Sequence, residues 1–256
     1  MQGALNDFVL VDETDGERVP EGEKPAFARW ACDRRAGVGA DGVIFVRVRS
    51  SEVEMRIFNR DGSEAEFCGN AARCAARYAT DVRGENVKAL RTLSGRHAVE
   101  VLDDRVRVEV PGARVRDATE LGFEVDAGVP HLVRLTERDP VREARRLTRE
   151  AREIQRRYAE RGGVNVTFAA PAGDALRVRT YERGVGWTPA CGSGVVAAAL
   201  VYADLFGADG PVRVSTAGGP LKVLLDDGPL LEGPAEIVYE GRVKGAPWRE
   251  DPDHQR

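Results

Sequence analysis

Two segments of the chain repeat the same pattern, and each brings a cysteine to the start of an apolar run. The segments span Met55–Ala72, which contains Cys68, and Val178–Val195, which contains Cys191. Further pairs at matching distances from the two cysteines are Phe58 and Tyr181, Asn59 and Glu182, and the tetrads Gly42–Phe45 and Asn165–Phe168. An internal repeat of this kind predicts two domains of like fold. One cysteine in each copy suggests an active site with two thiols between the domains.

Length and charge narrow the possible classes of protein. A chain of 256 residues is long enough for two modest hydrophobic cores. Charged residues make up 31% of the chain, but the net charge is only −4, so the sequence does not favour nucleic acid or a membrane surface as a partner. No apolar run approaches the roughly 20 residues of a membrane span, and the N-terminus lacks a signal pattern. We therefore expect a soluble cytoplasmic protein.

The chain alternates between short strands and a few helices, which predicts an α/β fold. Apolar or alternating runs predict strands at residues 7–12, 42–48, 52–58, 97–102, 105–110 and 123–126. Pro25 suits the first turn of a helix that runs to about Arg35, and a 3-4-3-4 apolar stripe predicts a long helix from Val141 to Arg161.

A polar stretch separates the two copies of the repeat. Residues 114–119 carry few apolar side chains and are typical of a linker, after which the series of strands begins again. We place the first domain at residues 1–117 and the second at residues 118–234.

Two helices that follow the repeated cysteines are apolar on most faces. Ala71–Thr80 is rich in alanine, and Val195–Phe206 is apolar nearly all round. Such a helix must be buried, so each is expected to be the central helix of its domain. The helices therefore begin close to the triplets Cys68-Gly69-Asn70 and Cys191-Gly192-Ser193. Free N–H groups and the positive dipole end at a helix N-terminus suit a carboxylate and favour a thiolate.

Two thiols that face one bound anion suit the inversion of a carbon next to a carboxylate. One base must remove the α-proton from one face while an acid delivers a proton to the other. A thiolate and a thiol can fill these roles and exchange them with the direction of reaction. The helix N-termini would hold the carboxylate and stabilise the charge that accumulates as the carbanion forms.

The remaining cysteines and the histidines give no sign of a metal site. Cys32 and Cys74 are best explained as small buried residues. The chain has no Cys-x-x-Cys pair, and its histidines do not cluster with the cysteines. No lysine lies in either repeated segment, which argues against a pyridoxal Schiff base. We therefore expect neither a metal nor a cofactor.

A series of motifs runs in order along most of the chain: Asn6-Asp-Phe-Val, Gly37-Val-Gly-Ala-Asp-Gly42, Phe58-Asn-Arg-Asp-Gly-Ser, Cys68-Gly-Asn, Pro130-His131, Val164-Asn165-Val, Glu182-Arg-Gly-Val-Gly and Ala190-Cys-Gly-Ser-Gly194. This series resembles the diaminopimelate epimerase family. The resemblance implies a cofactor-independent isomerase that interconverts LL- and meso-diaminopimelate for lysine and cell-wall synthesis.

The resemblance also implies an architecture. Each domain would be a curled, mostly antiparallel sheet around a central helix, and the site would lie in the cleft between the domains. The chain from about residue 235 to 256, with a last strand near Ala235–Val243, would return to the first domain. A homodimer is the assembly that the family suggests.

The same resemblance implies roles for individual residues. Cys68 and Cys191 resemble the two acid/base thiols. The residues that resemble those holding the reacting amino-carboxylate end are Asn6, Gly69, Asn70, Gly192 and Ser193. Those that resemble the contacts to the distal amino-carboxylate are Asn59, Asn165, Glu182 and Arg183. Arginine can fork onto a carboxylate and glutamate can accept from an ammonium, so the distal assignment is chemically reasonable.

Two positions depart from the family pattern. The family usually has Gly-Asn-Pro-His where this chain has Gly128-Val129-Pro130-His131, and valine cannot replace the hydrogen bond of the asparagine. The N-terminal Gln2-Gly-Ala-Leu5 stands where His-Gly-x-Gly commonly precedes the asparagine. We expect His131 to order the site and leave it out of the catalytic set.

Other functions remain open from the sequence alone. One is a racemase of the same family with another substrate, such as histidine. A dithiol redox protein would cycle Cys68 and Cys191 through a disulfide, which requires Cα atoms about 4.4 to 6.8 Å apart. A non-catalytic amino-acid binder would need the helix N-termini but not both thiols.

Overall fold

The structure, a computed structural model, describes residues 1–225 and 228–250, apart from the side chains of Pro247 and Glu250. The chain divides into two compact units. Unit 1 comprises Met1–Val106 together with the described residues from Ala235 onward, and unit 2 comprises Arg107–Pro234. The chain therefore leaves unit 1 earlier than the sequence-based boundary after residue 117.

Unit 1 contains short strands around two helices. In chain order its elements are β1 (Gln2–Gly3), β2 (Asn6–Asp12), α1 (Lys24–Cys32), β3 (Gly42–Arg49), β4 (Glu52–Asn59), β5 (Glu64–Ala65), α2 (Gly69–Asp81), β6 (Ala89–Thr92) and β7 (Gly95–Val101). Strand β2 runs parallel to β3, β3 antiparallel to β4, β4 parallel to β6, and β6 antiparallel to β7. The sheet of unit 1 is therefore mixed, with more antiparallel than parallel pairs, in agreement with the expected mostly antiparallel sheet.

Unit 2 repeats this order of strands with additions at its start and end. Its elements are β8 (Val106–Glu109), β9 (Arg114–Thr119), β10 (Gly122–Asp126), β11 (Pro130–Leu135), α3 (Ala144–Arg157), a 3-10 turn (Ala159–Arg161), β12 (Asn165–Ala172), β13 (Ala175–Glu182), β14 (Gly186–Trp187), α4 (Gly192–Phe206), β15 (Val212–Thr216), β16 (Gly219–Leu224) and β17 (Leu230–Gly233). A short helix in unit 1, α5 (Pro247–Glu250), follows.

The strands of unit 2 pair in the same order, direction and register as the matching strands of unit 1. Strand β11 is parallel to β12, β12 antiparallel to β13, β13 parallel to β15, and β15 antiparallel to β16. The matched residues occupy matched places: Val43 lies opposite Phe58 as Val166 lies opposite Tyr181, and Phe8 pairs with Gly42 as His131 pairs with Asn165. The sequence repeat is therefore a repeat of structure.

The helix after each repeated cysteine is buried against the sheet of its unit. In α2 the alanines at 71, 72, 75, 76 and 79 are fully buried, and in α4 residues 195–199 and Val201 are fully buried. Alanine and valine let the strands come close to these helices, and α4 ends at Gly207 in the left-handed conformation (φ 64°). The prediction of a central buried helix in each half is confirmed.

The predicted linker is a strand. Residues Arg114–Thr119 form β9, which pairs antiparallel with β10. The strand buries little of either face, so most of its side chains are exposed. Exposed positions favour polar residues, which is why the segment has the composition of a linker.

Three other predicted elements are wrong in extent or type. The long helix begins at Ala144, because the Asp139 carboxylate accepts the N–H groups of Val141 and Arg142 and holds that segment in a turn. Helix α1 ends at Cys32 rather than near residue 35. Residues 235–243 return to unit 1 as expected, but only a single bridge between Gln2 and Glu236 is formed there. Residues 251–256 of the predicted return lie outside the described residues.

Candidate active site

In unit 1 the repeated cysteine caps the central helix. Cys68 has an extended backbone (φ −148°, ψ 114°) and immediately precedes Gly69, the first residue of α2. The Cys68 thiol lies 3.9 Å from Asn6 Oδ1, and the same oxygen accepts a hydrogen bond of 3.1 Å from Asn70 Nδ2. The structure therefore gathers Asn6, Cys68, Gly69 and Asn70 into one cluster.

The orientation of Asn6 is set by a neighbouring carboxylate. Asn6 Nδ2 donates to Asp41 at 3.0 Å, and Asp41 in turn pairs with Arg34. The amide oxygen of Asn6 is therefore the atom that faces Cys68. The residues just before it, Ala4 and Leu5, form a tight turn with φ of 55° and 61°, a conformation that costs non-glycine residues energy.

Beneath this cluster lies a buried guanidinium. Arg73 has no exposed surface, donates to Asn70 Oδ1 at 2.8 Å and to the carbonyl oxygen of Gly69 at 3.3 Å. Burial lowers the pKa of Arg73 to about 10, with attraction to Cys74 and Cys68 opposing that shift. Arg73 therefore remains a cation at neutral pH and holds the second residue of the helix in place.

In unit 2 the equivalent cysteine is joined to a chain of neutral polar groups. Cys191 precedes α4, and its Sγ lies 3.4 Å from Ser193 Oγ. Ser193 Oγ lies 2.9 Å from His131 Nε2, and His131 Nδ1 lies 2.9 Å from Thr167 Oγ1. Thr167 Oγ1 lies in turn 3.1 Å from Thr180 Oγ1. We call Ser193, His131, Thr167 and Thr180 the Ser193 relay.

Burial keeps the histidine of the relay neutral. Desolvation lowers the pKa of His131 to about 3, and the negative charge of Asp126 opposes this only weakly. A neutral imidazole carries one donor and one acceptor nitrogen, so His131 links Ser193 to Thr167 without adding charge. His131 thus connects Ser193, in the first turn of α4, to strand β12.

The residues assigned to the distal end of the substrate meet where β12 begins and β13 ends. Asn165 Oδ1 accepts the backbone N–H of Arg183 at 2.8 Å, and the Arg183 guanidinium donates to the carbonyl oxygen of Gly162. Glu182 accepts the hydroxyl of Thr188. Asn165 also pairs across the strands with His131, so this cluster adjoins the Ser193 relay.

Asn59, another residue predicted for the distal end, lies in unit 1 and bonds within its own turn. It is exposed at the end of β4, and its Nδ2 donates to Ser63 Oγ at 3.0 Å. The hydrogen bond stabilises the turn between β4 and β5. Its predicted contact with substrate remains a prediction.

A cavity of about 390 Å³ in unit 2 is lined in part by Val129, the residue that differs from the family motif. Val129 and His131 lie in its wall, together with residues that carry charge or a hydroxyl, namely Arg116, Glu124, Asp126, Tyr158 and Arg161. Cations and carboxylates stand side by side, as Arg161 pairs with Glu124 at 2.9 Å. Such a wall suits a ligand that carries both an ammonium and a carboxylate.

The other two cysteines lie in apolar surroundings. Desolvation raises the pKa of the Cys32 thiol and of the Cys74 thiol to about 12 in each case. Both therefore remain thiols at neutral pH, which agrees with a packing role. Neither Cys32 nor Cys74 forms a disulfide.

The described residues form neither a candidate metal site nor a membrane-spanning helix. Within residues 1–225 and 228–250, His, Cys, Asp and Glu side chains form no group that could hold a metal ion. In the same part of the chain, no helix has the length and apolar character needed to cross a membrane.

Sequence reasoning missed Arg73, Thr167 and Thr180. Arg73 had a visible signal, because it is a charged residue within an alanine-rich helix. The threonines could have been found by extending the repeat: Thr167 and Thr180 match Ile44 and Ile57, which face each other in unit 1. Polar residues at core positions of one copy indicate a local role.

Comparisons with known proteins agree on the family. The sequence profile described as diaminopimelate epimerase matches residues 1–115 and 123–244. A diaminopimelate epimerase of Methanopyrus kandleri is 67% identical over 256 residues, which cover 100% of this chain and 91% of the relative. A diaminopimelate epimerase of Methanocella arvoryzae is 39% identical over 95% of each chain.

Solved structures agree on the fold. A predicted epimerase from Pseudomonas aeruginosa superposes with a TM-score of 0.66 at 16% identity, covering 91% of this chain and 93% of that one. A phenazine biosynthesis protein of the PhzF family from Enterococcus faecalis gives a TM-score of 0.66 at 13% identity, covering 90% and 89%. At these identities the likeness concerns the fold alone. The profile and the close relatives together show that the chain belongs to the diaminopimelate epimerase family.

Proposed function

We propose that this chain is an isomerase that interconverts LL- and meso-2,6-diaminopimelate by moving the α-proton between two cysteines. The observation that carries the proposal is the matched placement of Cys68 and Cys191, each immediately before the buried central helix of its unit. The relatives named as diaminopimelate epimerases support the choice of substrate. The product would enter lysine and peptidoglycan precursor synthesis.

The proposed chemistry uses the helix N-termini for binding and the thiols for proton transfer. The first N–H groups of α2 and α4 lack partners within their helices and suit the α-carboxylate. One cysteine, as thiolate, removes the α-proton, and the other, as thiol, donates its proton to the opposite face. Asn6 and Asn70 in unit 1 and Ser193 in unit 2 supply polar contacts beside the thiols. Negative charge that develops on the carboxylate is stabilised by the helix dipoles.

Specificity would come from the distal amino-carboxylate of the substrate. Arg183 and Glu182 provide opposite charges next to Asn165, and Asn59 would add a contact from unit 1. An arginine fork binds a carboxylate and a glutamate accepts from an ammonium. Val129 removes one hydrogen-bonding group, so the charged pair has a larger share in recognition.

The proposal extends to the cellular compartment of the protein and to its oligomeric state. Both catalytic thiols must stay reduced, which suits the cytoplasm. Exposed apolar side chains on α4, Leu205 and Phe206, offer a surface on which a second copy could pack as a homodimer.

The test is proton NMR of the reduced protein in D2O with LL-diaminopimelate, meso-diaminopimelate and, separately, L-histidine. We expect loss of the α-proton signal and interconversion with diaminopimelate only. Cys68→Ala and Cys191→Ala should each lower turnover at least ~10³-fold, since an acid/base group contributes about 10² to 10⁴. Cys32→Ala, which changes only a packed thiol, should keep turnover within a few fold.

Three outcomes would contradict the proposal. Exchange with histidine alone would keep the two-thiol mechanism and overturn the substrate. Binding that survives in both alanine variants without exchange in the parent protein would indicate an amino-acid binder. Turnover that requires an oxidant would indicate the dithiol redox protein.

A further inference from the structure

The two thiol clusters occupy matched places in the repeat but differ in charge. In unit 1 the fourth residue after the first residue of α2 is Arg73, a cation with no exposed surface. The matching residue of α4 is Val196, which is also fully buried. A charge in such surroundings is screened little by water, so it acts strongly on the groups around it.

The Arg73 guanidinium is directed at the start of α2. It bonds to Gly69 and Asn70, the two residues that follow Cys68, and it interacts electrostatically with Cys68 itself. The helix dipole adds positive potential at the same end. A thiolate on Cys68 is therefore stabilised by both a buried cation and a helix N-terminus.

Other charged groups near this cluster balance one another or lie at the surface. They are the Met1 ammonium, Asp41, Arg105 and Glu236. Asp41 is about 40% exposed and pairs with Arg34, and Arg105 lies 3.6 Å from Asp104. Among the described residues named here, Arg73 is the one that is both fully buried and in contact with the start of the helix.

The corresponding surroundings in unit 2 carry no buried cation among the described residues. The Ser193 relay is neutral. Asp126 lies near His131, and the neighbouring cluster carries Glu182 and the exposed Arg183. Cations on the strands packed against α4 that pair with carboxylates are Arg116, Arg134, Arg177, Arg213 and Lys222. Two others bond to backbone carbonyl oxygens: Arg114 to Gly112 and Arg179 to Val141. The described residues of unit 2 thus place no fully buried cation like Arg73 at the start of α4.

We propose that Arg73 makes Cys68 the resting base, so that the ligand-free enzyme carries the thiolate on Cys68 and the proton on Cys191. This inference rests on the two-thiol function proposed above. In one turnover the Cys68 thiolate takes the α-proton and Cys191 gives its thiol proton to the substrate. Cys68 then holds a proton and Cys191 a negative charge. One proton must leave Cys68 and one must reach Cys191 before the resting form returns. Arg73 is a positioning residue here, because it acts through Cys68 and Asn70.

The test measures each thiol in the whole protein without substrate. Limiting iodoacetamide is applied between pH 5.5 and 10, and labelling of each cysteine is read by peptide mass spectrometry. The midpoint pH of each profile is compared rather than its plateau rate, because Cys68 is more exposed than Cys191. We expect the midpoint of Cys68 to lie at least one pH unit below that of Cys191. At pH 6.5 the thiolate fraction of Cys68 would then be ~10-fold larger than that of Cys191.

Variants of Arg73 separate charge from packing. Arg73→Met removes the cation and should raise the Cys68 midpoint towards the ordinary thiol value of about 8.5, while leaving Cys191 unchanged. Arg73→Lys keeps the charge and should restore most of the difference. Cys74 reports on folding, because it is fully buried on the same helix and should stay unlabelled while α2 is intact.

The results separate the inference from the proposed function. Equal midpoints, a lower midpoint for Cys191, or a Cys68 profile unchanged in folded Arg73→Met would overturn the role of Arg73. If Arg73→Met does not fold, the order of the two midpoints in the parent enzyme still decides the matter. A failure of this order alongside intact α-proton exchange would overturn this inference alone, whereas absence of exchange would count against the proposed function.

Discussion

At the scale of single residues, His131 shows how burial changes what a side chain can do. A histidine near a catalytic cysteine invites assignment as an acid or base. In this structure it is 1% exposed and bonded at both ring nitrogens, to Ser193 and to Thr167. With its pKa lowered to about 3 by burial, it does not gain a proton near neutral pH. Its contribution is to hold Ser193 in one orientation.

The lowered pKa of His131 predicts a loss of stability at mildly acidic pH. The unfolded chain binds a proton to this histidine below about 6.5, whereas the folded chain does not bind one until about pH 3. The free energy of unfolding should therefore fall by about 1.4 kcal/mol per pH unit below 6.5, or about 2 kcal/mol between pH 7 and 5. Urea unfolding at the two pH values measures this loss.

The control for this prediction is His131→Gln. This variant keeps a polar side chain but removes the titrating group, so its stability should depend less on pH between 7 and 5 although it is lower at pH 7. Other groups that titrate in this range are present in both proteins and cancel in the comparison. Equal pH dependence in the two proteins would contradict the assignment.

At the scale of elements, the start of α4 depends on a glycine. A Cβ on Gly194 would lie 2.2 Å from Thr180 Oγ1, 2.9 Å from Thr167 Oγ1 and 3.3 Å from His131 Cε1. The helix can therefore approach the Ser193 relay only because this residue lacks a side chain. The matching residue of α2 is Ala71, and the residues that match Thr167 and Thr180 are Ile44 and Ile57, which carry no hydroxyl.

Gly194→Ala should displace either the relay or the start of α4. Overpacking of this kind costs about 1 to 3 kcal/mol, and we expect a similar loss in the free energy of unfolding together with at least a tenfold fall in turnover. Denaturant unfolding and the NMR exchange assay measure the two effects. Gly210→Ala is the matched control, because nothing lies within 4 Å of its Cβ position. If Gly194→Ala had the stability and turnover of the parent protein, the added Cβ would be accommodated at little cost, which would contradict this prediction.

At the scale of the whole molecule, the N-terminal segment and the described residues from Ala235 onward both belong to unit 1. The returning segment is held less by strand pairing than by side chains. Trp248 packs edge-on against Phe27 with ring centroids 4.8 Å apart, and its indole N–H donates to Glu23 at 2.9 Å. These contacts attach the C-terminal segment to α1 and extend the aromatic cluster of unit 1.

Trp248→Ala should loosen α1 as well as the returning segment. Replacing a fully buried tryptophan by alanine lowers the free energy of unfolding by about 3 to 5 kcal/mol. For this half-buried side chain we expect a loss of about 1 to 3 kcal/mol. Hydrogen exchange should show reduced protection of Lys24–Cys32. Val238→Ala, which truncates a side chain that is 61% exposed, should change little. Unchanged protection of α1 would mean that the segment does not support it.

The sequence predicted the repeat, the two central helices and most strands because these depend on local patterns. Period-2 alternation and apolar helices are properties of consecutive residues, and Cys68 and Cys191 could be paired by spacing alone. The same approach failed for Arg114–Thr119, whose polar faces concealed a strand, and for residues 235–243, which are apolar in places but pair only once.

By itself, the sequence determined that two like halves each carry a cysteine before a buried helix, and its motifs determined the family. Only the tertiary structure decided which buried residues support each thiol. Arg73 serves one cluster, whereas His131, Thr167 and Thr180 serve the other through contacts between strands and helix. The physical reason is that burial and hydrogen bonding set the charge of a side chain, and both depend on neighbours far away in the chain.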